Sequence, residues 1–134
     1  MTDSDGVLFV NSVVCVSYKG DHLTIEAVEG GICIDEDSVE AVIRESERVL
    51  RRRVKFRTTW DLQFCPLPTA SVVARCTRWA VQNRTELNSL NTRLAVLTSS
   101  ATLLGIVRVV LSVMGPRCPL LVSQSRSDVA EFMR

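Results

Sequence analysis

Apolar and polar residues recur along this chain at two periods, one typical of strands and one typical of helices. Two dense, β-branched runs come first, Val7 to Val16 and Leu23 to Val28, and Gly20-Asp21 separates them. Runs of this kind on either side of a turn signal predict two antiparallel strands at the start of the fold.

A helical period begins after Gly30-Gly31, which ends the strand pair. Asp35 or Asp37 is placed to accept the free amide hydrogens of a helix start. Apolar residues then recur at helical spacing, with charged residues between them: Val39, Val42, Ile43, Val49 and Leu50. We therefore predict an amphipathic surface helix, whose arginine-rich end (51–53) suits the helix dipole.

A strand and a second helix follow. Apolar and polar residues alternate from Val54 to Leu62, which predicts a strand. The chain breaks at Cys65-Pro66-Leu67-Pro68, and Pro68 is well placed to start a helix. Six residues form the predicted buried stripe of that helix: Val72, Val73, Cys76, Trp79, Ala80 and Leu87.

The next strand and helix are read from a short β-rich run and a long apolar one. Leu94 to Thr98 predicts the strand. Ser99 or Ser100 is expected to cap the helix, which runs from Thr102 to Met114 and stops at Gly115-Pro116.

The closing segment completes an alternating order. Leu120 to Ser123 predicts the last strand, and Ser125 or Ser127 is expected to cap a final helix. The order is thus β-β-α-β-α-β-α-β-α. With right-handed crossovers, this order predicts one α/β domain over residues 1–134. Its sheet is expected to be mixed and mostly parallel, with about five strands. About four helices are expected to cover the sheet, in two or three layers.

Length and composition agree with one globular domain. The 134 residues are 46% hydrophobic and 23% charged, which excludes the disordered and fibrous classes. A net charge of +1 gives no global field to steer the chain toward a nucleic acid or an acidic substrate. Electrostatic recognition is therefore expected to be local.

The cysteines indicate neither a metal site nor a disulfide framework. No Cys-x-x-Cys pair occurs, and no histidine lies near enough in sequence to complete a zinc site. The five are scattered: Cys15, Cys33, Cys65, Cys76 and Cys118. We expect reduced thiols in the core of a cytoplasmic protein.

Neither export nor a membrane span is expected. The MTDSDG start carries acids where a secretory signal needs positive charge. The longest apolar run, Leu103 to Met114, is about half of the roughly 20 residues that a span requires, and Arg108 interrupts it.

A resemblance to a known family rests on short motifs and on the element order over nearly the whole chain. Trp60-Asp61-Leu62 is similar to the strand-ending Asp-Leu of STAS-type domains, found in anti-sigma-factor antagonists (the SpoIIAA-like fold) and sulfate transporters. Leu120-Leu121-Val122 and Ser127-Asp128-Val129-Ala130 resemble the last strand and helix of that family. CRAL-TRIO lipid-binding domains share the broad architecture. The resemblance implies a regulatory module that binds a protein.

One position departs from the family pattern. A phosphorylatable member carries Asp-Ser-Ser-Gly, or something close, where the helix after that strand starts. The counterpart here is Thr69-Ala70-Ser71-Val72, with Ala70 in place of the phosphate-accepting serine. The departure argues against a phospho-switch of the family kind, and Thr69 or Ser71 is the substitute acceptor.

The motifs of common small-domain enzymes are missing: a hydrolase elbow, a phosphate loop, a Rossmann fingerprint and a helical zinc site. His22 is the only histidine, and no nucleophile signature surrounds it. We expect no catalysis, no cofactor and no metal. An enzyme of unfamiliar type, with Asp61 in a cleft, is the alternative.

One run of the chain is strongly basic. Its density of charge suits phosphates on an anionic partner, but favourable charge at a helix end with a solvated strand edge is the preferred explanation. The six residues are Arg48, Arg51, Arg52, Arg53, Lys55 and Arg57. A nucleic acid is not expected, because aromatic platforms are scarce and the net charge is near zero.

A second candidate site lies where the parallel strands end. In open α/β sheets the loops at the carboxyl ends of strands form the ligand crevice, so Asp61, Thr98, Ser99 and Ser123 are expected near one another. The helix start after Thr98-Ser99 favours an anion. Plain helix capping explains these serines as well.

The helix from Thr102 to Met114 is apolar almost all round, so it either lies between other elements or exposes a patch. Together these features predict a non-catalytic protein-interaction or regulatory module with a protein partner. A lipid or anionic small ligand is the alternative, and a homodimer is a further arrangement to test.

Overall fold

The computed structural model describes residues 6–134, and these residues form six strands and five helices. The bounds in chain order are β1 Gly6–Val10, β2 Val14–Lys19, β3 His22–Ala27, α1 Glu36–Arg51, β4 Phe56–Asp61, α2 Ala70–Gln82, α3 Arg84–Leu90, β5 Asn91–Leu97, α4 Ala101–Met114, β6 Leu120–Ser123 and α5 Arg126–Phe132.

One sheet contains all six strands, in the spatial order β1-β2-β3-β4-β5-β6. The first three strands pair antiparallel, and β3 through β6 pair parallel. The predicted α/β class with a mixed, mostly parallel sheet is confirmed. It has one strand and one helix more than the sequence pattern indicated.

The extra strand comes from a turn inside the first apolar run. The side-chain oxygen of Asn11 accepts hydrogen bonds from the backbone amides of Val13 and Val14, both at 2.8 Å. This Asx-type turn reverses the chain between β1 and β2. The prediction of one strand from Val7 to Val16 was therefore wrong, because an asparagine turn needs neither glycine nor proline.

The extra helix comes from a break in the second helical stripe. Asn83 leaves the helical conformation, with φ −111° and ψ 14°, and its side-chain amide donates to the carbonyl of Trp79. The chain then restarts as α3, which still brings Leu87 to the core. The predicted stripe is continuous in space but divided between two helices.

The two faces of the sheet are covered unequally. Leu94 and Val96 of β5 pack in the main core with α1 to α4, whereas Ala95 and Leu97 pack with Val129 and other residues of α5. Because successive side chains of a strand point to opposite faces, α5 lies on the other side of the sheet from α1 to α4. The domain therefore has three layers at β5 and β6 and two layers elsewhere among the described residues.

The face of β2 to β4 opposite α1 to α4 is polar. Ser17, Thr24 and Thr59 are register neighbours across these three strands. The next row toward the start of β3 is Lys19, His22 and Arg57. A polar face of this kind is compatible with solvent, which agrees with the position of α5 over only β5 and β6.

The apolar helix α4 lies against both the sheet and α2. Leu103, Val107 and Leu111 are buried at helical spacing, and Gly115 ends the helix in the left-handed conformation, at φ 58°. Val109, in contrast, is 58% exposed on the outer side. One face of α4 is therefore buried, and its other large apolar residues are half-buried apart from Val109.

Candidate functional site

The carboxyl ends of β3 to β6 lie at one edge of the sheet, here called the carboxyl-end edge. Asp61, Leu97 and Ser123 are register neighbours across β4, β5 and β6. The backbone amide of Thr98 donates to the carbonyl of Ser123 at 3.0 Å. The predicted grouping of Asp61, Thr98, Ser99 and Ser123 at this edge agrees with the structure.

Asp61 is buried and engaged by two groups. Its carboxylate accepts from Arg126 at 2.8 Å, and the backbone amide of Gln63 donates to its other oxygen at 3.3 Å. Arg126 opens α5, so this contact ties α5 to the end of β4. In this arrangement Asp61 holds two elements together.

The hydroxyl groups at this edge are used mainly in local turns and caps. Thr98 accepts from the amide of Ser100, and Ser123 accepts from the amide of Ser125. Ser100, rather than the exposed Ser99, caps α4 by accepting from Leu103. These contacts match the capping explanation for these residues.

Thr69 and Ser71 lie at the start of α2, close to the same edge. Thr69 caps the helix by accepting from the amide of Val72 at 3.3 Å, and its hydroxyl is 3.1 Å from that of Ser71. Both residues are exposed. Their hydroxyl groups are therefore accessible from solvent at a helix N-terminus, while phosphorylation of either one stays a prediction.

The arginine cluster lies at the opposite edge of the sheet. Arg51, Arg52 and Arg53 come at the end of α1, immediately before β4 starts, whereas Asp61 ends β4. Six strand residues at about 3.3 Å each separate the two edges. The structure therefore does not bring the arginines together with Asp61, Thr69 or Thr98.

Each of these three arginines has a partner within the chain. Arg51 pairs with Glu47 at 3.4 Å, and Arg53 reaches Glu86 at 4.0 Å. Arg52 stacks over the ring of Tyr18, 4.8 Å from its centroid. Glu47 and Glu86 offset part of the positive charge of this cluster, which favours the structural account of the basic run over an anion site.

His22 lies near the basic end of the sheet. Its ring nitrogen Nε2 is 2.7 Å from the hydroxyl of Thr59. Burial lowers the pKa of His22, the charge of Arg57 lowers it further, and Asp21 opposes both effects. Because His22 starts β3 and Asp61 ends β4, about 13 Å of strand separates them, and they cannot act as a catalytic pair.

The cysteines do not form a site among the described residues. All five thiols are free, and Cys33 is exposed, so the expected core position was wrong for that residue. The other four are half-buried. No group of three or more metal-binding side chains was found in residues 6–134.

Sequence reasoning missed the exposed apolar residues of the carboxyl-end edge. Ile32, in the loop after β3, is 91% exposed, while Phe64 and Leu67, in the loop after β4, are 44% and 58% exposed. Because β3 and β4 are parallel neighbours, these two loops leave the sheet at the same edge. We call Ile32, Phe64 and Leu67 the apolar edge; the only signal in the sequence was apolar residues around prolines in a loop.

Acidic residues surround the start of α1 beside this apolar edge. Asp35, Glu36 and Asp37 are all exposed, and Glu29 is exposed in the same loop as Ile32. Hydrogen bonds from Ser38 lower the pKa of the Asp35 carboxyl, which therefore stays charged at neutral pH. The carboxyl-end edge is thus apolar and acidic around the loop after β3, while the opposite edge is basic.

The comparisons with known proteins found no matching family model, no matching curated protein and no matching solved structure. The resemblance to STAS domains therefore stays a prediction. In the part of the chain from residue 6 onward, no helix combines the length and hydrophobicity needed to cross a bilayer.

Proposed function

We propose that this chain is a non-catalytic protein-interaction module, of the regulatory kind that the STAS resemblance implied, and that it binds its partner through the carboxyl-end edge. The observation that carries the proposal is the exposure of Ile32, Phe64 and Leu67 in two adjacent loops. Large exposed apolar groups in neighbouring loops, with charged residues beside them, are features of protein-binding surfaces.

The charge at this edge defines the partner. Glu29, Asp35, Glu36 and Asp37 add negative charge around the apolar residues. A complementary surface is therefore apolar at its centre and basic at its rim. Apolar residues would supply most of the affinity, and the acids would steer the encounter and exclude acidic competitors.

The candidate acid and base of residues 6–134 are not paired at this edge, which supports a non-catalytic role. Asp61 is engaged by Arg126, and the single histidine of the chain lies near the opposite edge. The hydroxyl groups of Thr98 and Ser123 accept backbone hydrogen bonds. We therefore assign Asp61 a structural role and the loops the binding role.

The test uses three purified versions of the chain, the wild type and two variants, to capture binding proteins from an extract of the cell in which the chain naturally occurs. The edge variant Phe64→Ser/Leu67→Ser removes two apolar groups from the proposed surface. The control Val54→Ser/Val81→Ser removes two apolar groups of similar exposure, 56% and 44%, that lie elsewhere. Thermal unfolding of all three shows that each is folded, and light scattering gives their oligomeric state.

A partner captured equally by the wild type and the control, and about tenfold less by the edge variant, supports the proposal. Its affinity is then measured with the purified partner at low and high salt, because a basic rim on the partner makes the association rate salt-dependent. Equal capture by the edge variant contradicts the proposal. If the wild type is a homodimer that the edge variant dissociates, the partner is a second copy of this chain.

A further inference from the structure

An apolar cavity of about 240 Å³ lies between the sheet and the helices α1, α2 and α4. The core-facing side chains of β3 and β4, such as Ile25 and Trp60, line one side. Val42 of α1, Trp79 of α2 and Val107 of α4 line the other. The cavity thus lies within the main core, and its lining includes none of Ile32, Phe64 and Leu67.

A cavity of this size among core residues is unusual. Cores are close-packed, and few of their voids exceed the size of a water molecule. Apart from Trp79, the residues of α2 that line the cavity, including Val72, Cys76 and Ala80, have small or medium-sized side chains. These side chains leave space between α2 and the sheet.

The cavity offers no free polar group to a ligand. Two of its hydrogen-bonding residues, Thr58 and Asn91, bond to each other at 3.1 Å, and the indole nitrogen of Trp79 donates to Glu47 at 3.0 Å. Within residues 6–134, no buried side-chain nitrogen or oxygen lacks a hydrogen-bond partner. A cavity without such groups does not hold ordered water, and it excludes a charged ligand.

The two thiols that line the cavity are uncharged. Burial raises the pKa of Cys65 to about 11, and burial also raises the pKa of Cys76. Both side chains therefore contribute neutral, polarisable sulfur atoms at neutral pH. The lining combines aliphatic, aromatic and thiol groups, which suits apolar molecules.

We propose that this cavity binds one neutral, apolar molecule of about ten carbon atoms. The size follows from an engineered protein cavity of about 150 Å³ that binds benzene. In proportion, the volume of about 240 Å³ here accommodates a two-ring aromatic or a compact branched hydrocarbon. This site goes beyond the proposed protein interaction and does not depend on it.

The test uses naphthalene as the probe, and 2-naphthoate as a charged probe with the same rings. Equilibrium dialysis gives the stoichiometry and affinity of each. Val107→Phe places a larger side chain into the cavity from α4. Val109→Phe makes the same change two residues away, where the valine is 58% exposed, and serves as the matched control.

The expected result is one naphthalene per chain, bound about tenfold more weakly by Val107→Phe and equally well by Val109→Phe, with no uptake of 2-naphthoate. If Val107→Phe does not fold, Ala80→Leu replaces it as a smaller filling change on α2. No uptake by the wild type, an unchanged affinity in the filled variant, or equal uptake of 2-naphthoate overturns the proposal.

Thiol labelling gives a second readout that does not require a variant. Bound naphthalene is expected to slow the alkylation of Cys65 and Cys76, which line the cavity. The exposed Cys33 is the internal control, and its alkylation rate is expected to stay the same. Equal rates at Cys65 and Cys76 with and without naphthalene contradict binding in this cavity.

Discussion

Arg126 donates to the carboxylate of Asp61 at 2.8 Å, although 65 residues separate the two in sequence. The Asp61 side chain is only 6% exposed, whereas that of Arg126 is 58% exposed. The contact joins α5 to the end of β4, although the helix itself packs on β5 and β6. A buried carboxylate therefore depends on a partner supplied by the last helix.

Replacing Arg126 by methionine is expected to lower the free energy of unfolding by about 1–3 kcal/mol, because it leaves a buried carboxylate without its charged partner. Urea unfolding measures the change. Arg108→Met, at an exposed position of α4, is the control and is expected to change stability by less than about 0.5 kcal/mol. Equal effects of the two substitutions would show that the contact with Asp61 contributes nothing.

His22 gives stability a pH dependence with a defined sign. Its pKa in the folded chain lies below the ordinary value of 6.5, so the unfolded chain binds more protons in the window beneath that value. The contribution of His22 to the free energy of unfolding is therefore fully present above about pH 6.5 and is lost as the pH drops through the lowered pKa.

Urea unfolding of the wild type and of His22→Gln at about pH 7.5 and about pH 5 isolates this contribution, since the other titrating groups are common to both proteins. The wild type is expected to lose more stability than the variant on acidification. Parallel losses would mean that the environment formed by Thr59 and Arg57 does not disfavour the charged imidazole.

Thr69 is the candidate-site residue with the clearest local role. Its hydroxyl caps α2, so Thr69→Ala is expected to cost about 1 kcal/mol of stability, and Thr69→Ser is expected to retain most of it. Ser71→Ala removes the neighbouring hydroxyl without removing the cap. Thermal unfolding that ranks Ser71→Ala as the more harmful change would contradict this assignment.

Replacement by alanine is expected to change the stability of the chain in opposite directions at two glycines, one inside α4 and one at its end. Gly115 ends α4 at φ 58°, a conformation that costs other residues about 1–2 kcal/mol. Gly105 lies inside α4, and a Cβ there would meet no atom within 4 Å. Gly115→Ala is therefore expected to destabilise the chain, and Gly105→Ala to stabilise it by about 0.5–1 kcal/mol.

Thermal unfolding of both variants is the measurement, with Gly115→Asn as a milder change, because asparagine tolerates the left-handed conformation better than alanine does. A shift of the same sign for Gly105→Ala and Gly115→Ala would refute the conformational explanation.

The positions of most helices and strands followed from the sequence, because the period of apolar residues records which side of each element faces the core. The strand Leu120–Ser123 has the predicted bounds, and α4 starts one residue before the predicted Thr102. Asp35 and Ser125, each predicted as one of two alternative caps, accept the capping hydrogen bonds. These are local relationships within a few residues, and local chemistry decides them.

The tertiary structure alone decided the rest. The order of the strands, the separation of the arginine cluster from Asp61 and the contact of Asp61 with Arg126 all depend on how distant segments stack. The apolar edge depends on two loops leaving neighbouring strands together. The cavity depends on the summed volumes of side chains from the sheet and three helices, set against the spacing between those layers, and no single segment of the sequence contains that sum.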